Sequence, residues 1–422
     1  MPLTPARRAL YMAALVIAGE AIFGLPFIIA RVFRPTLLDV FALSNLQLGT
    51  AMAFYGVVAM LAYFPGGPLA DRYPARRLMT AALLATALGG LLLARAPALP
   101  ALKGLYAFWG LTTILLFWAA LIRATREWGD DRRQGQAFGL MDGGRGLFAA
   151  VLASICLALF AALLPDDPAT ATLAERAEAL RTVILVFTAM TAAAALLVWI
   201  AIPDHPARAA EARDRITLPA IRRVVRNPAV WLQGLIVVTA YVGYKGIDDL
   251  GLYARDTFGF DDIAAARVGA LAFWIRPIAA VSAGFIGDRV GASRAIVACF
   301  ALMLIGDLVV ALDLLDPGAP WMLYTMVVST AAAVYAVRGL YFALFPDARV
   351  PAALTGTAAG LVSVIGYTPD VFMGPLMGHF TDTWPGAEGH RHLFAALAAF
   401  AALGLACTLA FRRLTRRPAD AS

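Results

Sequence analysis

The chain is poor in cysteine, and the three cysteines that it has are isolated from one another. Cys156, Cys299 and Cys407 each lie inside a separate apolar run. An odd number of cysteines at such positions argues against a disulfide framework. Because the chain also has neither a CxxC nor an HExxH motif, we expect no structural metal, no metal catalysis and no cofactor.

Charge is scarce as well. Only 15% of the 422 residues are charged, against about 25% in soluble domains, whereas 61% are hydrophobic and the mean hydropathy is +0.75. A water-soluble protein of this composition would have nowhere to bury its apolar surface. The composition therefore excludes a soluble enzyme, a disordered chain and a nucleic-acid-binding protein, despite the net charge of +7.

Long apolar runs are what the chain does have. A run of about 20 apolar residues spans a bilayer as a helix, because its backbone then satisfies its own hydrogen bonds. Since the first run is longer than the apolar region of a signal peptide, we interpret it as a retained helix. The pattern predicts an all-α membrane protein with twelve spans, at 9–33, 46–70, 78–95, 101–123, 135–164, 180–202, 228–254, 265–287, 294–313, 320–345, 353–378 and 392–411.

The loop charges predict the orientation of the spans. Arginines concentrate in alternate loops and at both ends of the chain, as at Arg7, Arg8, Arg76, Arg412 and Arg413. Cytoplasmic loops carry such an excess of basic residues, so we expect both termini in the cytoplasm. The preference for arginine over lysine is typical of high-GC bacteria, and it places the protein in a bacterial inner membrane in contact with lipid.

One long polar segment divides the spans six and six. Residues 203–227 are rich in arginine and contain three prolines. We predict a six-helix bundle over residues 1–202, a cytoplasmic linker over 203–227 and a second six-helix bundle over 228–422.

The two halves share a repeated loop. The Asp-Arg pair that follows the second span recurs after the eighth span, 217 residues later, and Gly139 maps onto Gly356 with the same offset. Repeated halves of this kind are typical of transporters. The repeated loop contains Gly67, Asp71, Arg72 and Arg76 in the first half and Gly284, Asp288 and Arg289 in the second.

These loops have the properties of a gate. Glycine lets two helices approach closely, and an aspartate next to a helix N-terminus is stabilised by the helix dipole. We therefore predict a cytoplasmic gate in which Arg123, at the end of the fourth span, is the partner of Asp71. A tight structural hairpin would explain one copy of the loop, but two copies at matching places favour the gate.

Twelve spans, the repeat and the pattern Gly-x-x-x-Asp-Arg-x-x-x-Arg-Arg at 67–77 resemble the major facilitator superfamily. The resemblance covers the whole chain. It implies a transporter, not an enzyme, that acts as a monomer. Its two bundles would rock around a central cavity lined mainly by spans 1, 4, 7 and 10, with spans 3, 6, 9 and 12 at the periphery.

Basic residues inside the spans predict an anionic substrate. Charges in the membrane are costly and are therefore candidates for function. Arginine binds carboxylate, phosphate or sulfonate through two parallel hydrogen bonds. The alternative is internal ion pairing, of Asp142 with Arg145 or of Lys245 with Asp248 or Asp249, at helical spacings. The predicted substrate-binding residues are Arg145, Lys245, Arg276 and Arg338, with Tyr244 and Tyr341 as hydrogen-bond donors.

Two basic positions indicate a particular branch of this superfamily. Arg31, at the end of the first span, and Lys245, in the seventh, approximately match the organophosphate–phosphate antiporter branch, which holds its anion between basic residues on these spans. Arg31 therefore joins the predicted substrate site. The alternatives are a membrane sensor of the same fold that binds without transporting, and a drug or sugar exporter. Drug export is less favoured because Gly139–Gly146 lacks the proline of the exporters' fifth span.

Acidic residues inside the spans predict coupling to protons. Desolvation favours the neutral form of a carboxyl group, so such a group can load and release a proton. Glu20 is the first candidate because the residues three and four positions away are Ile17, Val16, Phe23 and Gly24, none of them basic. Asp248 and Asp370 are the other candidates.

The first testable prediction concerns the repeated loop. Asp71→Asn and Asp288→Asn should each slow transport severalfold and leave the affinity for substrate nearly unchanged, because both residues belong to the gate and not to the binding site. Turnover at saturating substrate and equilibrium binding would be measured on the same preparation. Loss of binding with normal turnover would contradict this prediction.

Overall fold

The computed structural model describes residues 4–129, 134–204, 222, 224–345, 347–350 and 355–415. Most of the predicted linker, residues 205–221 and 223, lies outside these described residues. Within them the chain is helical and contains no β-strand. The predicted all-α class is therefore confirmed.

Ten long helices account for the first ten predicted spans. They are α1 (Pro5–Val32), α2 (Asn45–Arg72), α3 (Ala75–Leu93), α4 (Leu99–Gly129), α5 (Gln134–Ala162), α6 (Leu173–Ala201), α7 (Pro228–Phe258), α8 (Asp262–Val290), α9 (Ala292–Ala311) and α10 (Pro320–Leu344). A short helix, Arg34–Val40, follows α1.

The eleventh predicted span is not one helix. It is described as α11 (Thr355–Gly366) and α12 (Pro369–Thr383), which are separated at Tyr367 and Thr368. Proline has no backbone N–H to donate and is favoured at the first position of a helix, so Pro369 starts a new helix. The last span is α13 (Ala387–Thr415). Eleven helices of the described part are long and apolar enough to cross a membrane, and the described part of the span predicted at 353–378 consists of two shorter helices.

Local capping explains where several helices begin. Ser44 accepts a hydrogen bond from the backbone of Gln47 at the start of α2, and the Gln47 side chain bonds back to the Ser44 amide. Thr172 and Glu175 form the same reciprocal pair at the start of α6. Such pairs satisfy backbone donors that a helix N-terminus leaves free.

The outer surface of the helices is apolar. Leu61, Phe64, Leu88, Ile278 and Phe285 each expose about two-thirds of their surface. Soluble monomers rarely expose apolar patches of more than a few hundred Å². An outer surface of this kind fits the lipid that surrounds a membrane protein.

The buried core follows the two halves of the chain with one exception. One core cluster contains only residues between Val224 and Phe411, and two others are built mainly from residues before 203. The exception is a group from α7 and α8 that includes Leu252 and Phe273 and packs into a core of the first half. The halves therefore share apolar packing where α7 and α8 meet α1 and α5.

The two ends of the helix bundle differ. We call the end that carries Asp71 and Asp288 the motif end, and the other the opposite end. At the motif end Arg76 and Arg77 bind Asp204, at 2.8 and 3.1 Å. Although desolvation acts to raise it, the hydrogen bond from Arg77 and the charge of Arg76 hold the pKa of Asp204 below its usual value.

At the opposite end α2 and α12 lie in backbone contact, and this contact joins the two halves. Gly49 and Gly374 face each other, so a Cβ atom on Gly374 would lie 2.6 Å from the carbonyl oxygen of Gly49. The Asp382 carboxylate accepts hydrogen bonds from the backbone amides of Asn45 and Leu46, at 3.0 and 2.7 Å. It thereby caps the N-terminus of α2 from the other half of the chain.

The second testable prediction concerns this glycine contact. Gly374→Val should force α2 and α12 apart, because overpacking of this kind costs about 1–3 kcal/mol and no flexible side chain is there to yield. Spin labels on cysteines placed at the exposed positions Ala42 and Glu388 would report the separation by pulsed EPR. We expect the distance distribution to shift to longer values in the variant.

Gly104→Val is the matched control, since a Cβ atom there meets nothing within 4 Å. Identical distance distributions for Gly374→Val and the control would show that the glycine contact does not hold the opposite end closed.

Candidate functional site

A cavity of about 460 Å³ lies between the two halves. Its described lining residues come from α1, α2, α4, α5, α7, α8, α10 and the α11–α12 region, and none comes from α3, α6, α9 or α13. This agrees with the peripheral position that the resemblance assigns to spans 3, 6, 9 and 12. The glycine contact closes the cavity at the opposite end, and the side chain of Asp142 is 64% exposed towards the motif end.

Irregular backbone surrounds the cavity. α1 and α4 contain π-helical turns at Gly24–Ile28 and Leu111–Trp118, α7 contains a 3₁₀ turn at Ile247–Asp249, and α11 and α12 are separated at Tyr367. Helix interruptions at membrane depth occur where the backbone is buried in protein or lines a cavity. They place Phe27, Trp118 and Tyr367 in the wall.

The first ion pair in the wall joins the two halves. Arg31, at the end of α1, donates through Nε to the carboxylate of Asp248 on α7. The guanidinium also lies over the rings of Tyr244, at 4.5 Å, and Phe273, at 5.4 Å. Arg31 belongs to the predicted substrate site, and it lies buried in the cavity wall. Its charge is already paired with the carboxylate of Asp248.

The second ion pair lies within the second half. Lys245 Nζ is 2.8 Å from the Asp370 carboxylate, and the Tyr241 hydroxyl donates to the same carboxylate at 3.1 Å. The alternative that paired Lys245 with Asp248 or Asp249 is wrong. The 3₁₀ turn that begins directly after Gly246 directs the Asp248 side chain towards Arg31. Lys245 therefore pairs with Asp370 of α12 instead.

The third cluster joins α1 to α5 and α8. The Glu20 carboxylate is 3.2 Å from Arg145 and 3.1 Å from Arg276. The expectation that Glu20 has no basic partner is therefore wrong, because residues on one helix say nothing about those that neighbouring helices bring to it. The predicted pair of Asp142 with Arg145 is present at 3.8 Å, and Asp142 also lies 3.9 Å from Arg276.

Arg338 on α10 differs from the other four cations of the wall. Within the described part of the chain it has no carboxylate oxygen within 4.0 Å. Its guanidinium lies 3.7 Å from the ring centre of Tyr244 and 5.2 Å from that of Tyr241. The Arg338 Nη1 atom is buried without a hydrogen-bond partner, and so is the hydroxyl of Tyr335, one helical turn earlier.

The remaining predicted residues divide between the cavity and the motif end. Tyr244 and Tyr341 line the cavity, as predicted. Arg123 donates to the carbonyl oxygens of Ala70 and Tyr73, at 2.7 and 3.4 Å, on either side of Asp71. None of the predicted gate residues is among the residues that line the cavity. These gate residues are Asp71, Arg72, Arg76, Arg123, Asp288 and Arg289.

Sequence reasoning missed two features. Tyr335 was one of several tyrosines in the spans, and only its unpartnered hydroxyl distinguishes it. His390 on α13 is fully buried and lies 2.6 Å from Asp249 and 3.2 Å from Asp256. The predicted start of the last span at 392 placed His390 in a loop, and the burial of His390 against Asp249 of α7 has no sequence signal.

Comparisons with known proteins agree with this architecture. The sequence profile of the Major Facilitator Superfamily matches residues 13–368. The chain is 28% identical over 415 residues to the inner membrane protein YqcE of Escherichia coli K12, covering 96% of this chain and 94% of that protein. It is 25% identical over 427 residues to the inner membrane protein YihN of the same organism, covering 98% of each.

Solved structures show the same fold. A bacterial homologue of the human lysosomal transporter Spinster, in an inward-facing and unoccupied conformation, superposes with a TM-score of 0.77 at 17% identity over 99% of this chain and 100% of the other. The nucleoside transporter NupG superposes with a TM-score of 0.72 at 12% identity over 96% and 98%. The chain belongs to the major facilitator superfamily and is a multi-pass membrane transporter, not an enzyme.

Proposed function

We propose that this transporter moves a small organic anion across a bacterial inner membrane by alternating access, coupled to protons, with both termini in the cytoplasm. The observation that carries the proposal is the guanidinium of Arg338 in the wall of the cavity, which pairs with no carboxylate of the described residues.

Arg338 is half-buried, and its Nη1 atom is fully buried; a cation in such a position is unfavourable without a counter-charge. Removing a charge from water costs several kcal/mol unless a partner offsets this penalty. Aromatic faces such as those of Tyr241 and Tyr244 stabilise a cation by only about 0.5–2 kcal/mol. A bound carboxylate, sulfonate or phosphate would complete the compensation through two hydrogen bonds from Arg338. The site is therefore suited to an anion and poorly suited to a cation.

The contacts between the halves support alternating access. Arg31–Asp248 and Glu20–Arg276 each join the first half to the second, as does the α2–α12 contact at the opposite end. If the motif end is cytoplasmic, the described state opens inward. A rocking motion of residues 1–202 against residues 228–422 would break these contacts and bring the two copies of the motif loop together as the inner gate.

Asp370 is the residue that we favour for proton coupling. Its side chain is 15% exposed, against 5% for Glu20, and it lies one residue after the break between α11 and α12. An anion bound by Arg338 would lie next to Tyr241, which also binds Asp370. The negative charge of the anion would repel the Asp370 carboxylate, and a proton taken up by Asp370 would remove that repulsion. Glu20 and Asp248, each paired across the halves, are the other candidates.

The third testable prediction concerns anion recognition. Arg338→Gln should weaken anion binding by about 10- to 100-fold, since a hydrogen bond to a charged group contributes about 1.5–3 kcal/mol. Thermal shifts of purified protein would be recorded with carboxylates, sulfonates, phosphates and neutral sugars, and labelled ligands would then be tested for uptake into proteoliposomes.

Arg95→Gln, at an exposed position near the end of α3, is the control for loss of one positive charge. A wild-type protein that is stabilised by neutral sugars and by no anion would overturn the proposal in favour of a sugar exporter. Anion binding without uptake would identify a sensor instead.

The fourth testable prediction separates exchange from coupling. Asp370→Asn should retain exchange of labelled substrate between the two sides of proteoliposomes but lose accumulation driven by a pH gradient, because an amide cannot carry the proton. Asp316→Asn, in a loop at the opposite end, controls for the loss of an acidic residue, and Glu20→Gln is measured in parallel.

Normal accumulation by Asp370→Asn together with loss in Glu20→Gln would transfer the coupling role to Glu20. Normal accumulation by both variants would reject these two carboxylates as proton carriers and leave Asp248 as the remaining candidate.

A further inference from the structure

We infer that the cavity selects a singly charged anion, a carboxylate or a sulfonate, over a doubly charged phosphate ester. The inference rests on the proposed anion transport and adds to it the number of charges that the substrate carries.

The charges of the cavity wall carry the inference. The described lining contains five basic residues, Arg31, Arg145, Lys245, Arg276 and Arg338. Four carboxylates pair with these cations: Glu20, Asp142 and Asp370, which also line the cavity, and Asp248, which is not a lining residue but binds Arg31 of the wall. Five positive charges against four negative ones leave a net charge of +1, so a single negative charge on the ligand makes the occupied cavity neutral.

The arrangement of these charges leads to the same conclusion. Each of these four carboxylates lies within 4.0 Å of at least one of the four other cations, whereas Arg338 has no carboxylate oxygen within 4.0 Å among the described residues. Arg31 and Lys245 are neutralised by Asp248 and Asp370. A second negative charge on the ligand would have to displace Asp248 or Asp370 from its partner.

Burial makes that displacement costly. Arg31 and Asp248 have side chains only 3% and 9% exposed, and interactions between charges are stronger in such surroundings than in water. Breaking a buried pair also leaves one of its members uncompensated. The wall therefore disfavours a dianion by more than the attraction of Arg338 alone can offset.

Tyr335 adds a second point of contact. Its hydroxyl is buried and unpartnered, and residues three apart on a helix lie on the same face. Both Tyr335 and Arg338 contact the ring of Tyr244. We therefore expect the ligand to carry, close to its acid group, an oxygen that can form a hydrogen bond with the Tyr335 hydroxyl.

The fifth testable prediction uses four phenyl compounds that differ in charge. Benzoate, benzenesulfonate and methyl phenyl phosphate each carry one negative charge at pH 8. Phenyl phosphate carries two, because the second ionisation of a phosphate monoester has a pKa of about 6. Phenyl groups suit the aromatic wall, and the two phosphates have the same phosphorus chemistry. Binding to the full chain in lipid nanodiscs would be measured by calorimetry at pH 8.

We expect phenyl phosphate to bind about tenfold or more weakly than methyl phenyl phosphate. Equal or tighter binding of phenyl phosphate would overturn the charge inference and leave anion transport standing. If none of the four compounds binds, both proposals fall.

A substitution in the protein tests the same charge balance. Asp142→Asn raises the net charge of the five cations and their carboxylate partners to +2, and the exposure of this side chain makes a folding defect unexpected. We expect the preference for the monoanion to shrink by about tenfold in this variant. In Asp316→Asn, which changes the same residue type outside the cavity, the preference should stay as in the wild type. An unchanged preference in Asp142→Asn would contradict the inference.

Discussion

The rule that a charge inside a membrane must have a partner organises the centre of this protein. Eight charged side chains of the described residues line one cavity, a ninth, Asp248, binds one of them, and each unpaired charge there would destabilise the fold. Four of the cations form ion pairs with the four carboxylates. The fifth cation, Arg338, is only partly stabilised by the faces of Tyr241 and Tyr244. The cost of leaving it unpaired is the physical reason to expect an anion in the cavity.

The same ion pairs connect the site to the motion of the molecule. Arg31–Asp248 and Glu20–Arg276 join the two halves, so they exist only in states that bring α1 against α7 and α8. The contact of α2 with α12 depends on Gly49 and Gly374, where any side chain would separate the helices. The proposed site and the contact at the opposite end lie close together: Asp370 lies against Gly56 of α2 and also binds Lys245.

How far sequence reasoning reached depended on the distance over which each interaction acts. The pair of Asp142 with Arg145 was predictable because residues three apart on a helix are neighbours. The partners of Glu20, Lys245 and Arg31 were not, since Arg276, Asp370 and Asp248 come from positions more than 100 residues away. The break before Pro369 had a local signal in the proline itself, but the apolar character of residues 353–378 concealed it.

The amino-acid sequence by itself determined the membrane class, the all-α fold, the first ten spans and the last, and the set of charged residues that the membrane would contain. It did so because hydropathy, helical periodicity and repeated motifs are local properties of the chain. Only the tertiary structure decided which of these charges neutralise one another and that Arg338 remains. That outcome depends on how α1, α5, α7, α8, α10 and α12 pack together, and a charge is paired or unpaired only in relation to the neighbours that packing brings to it.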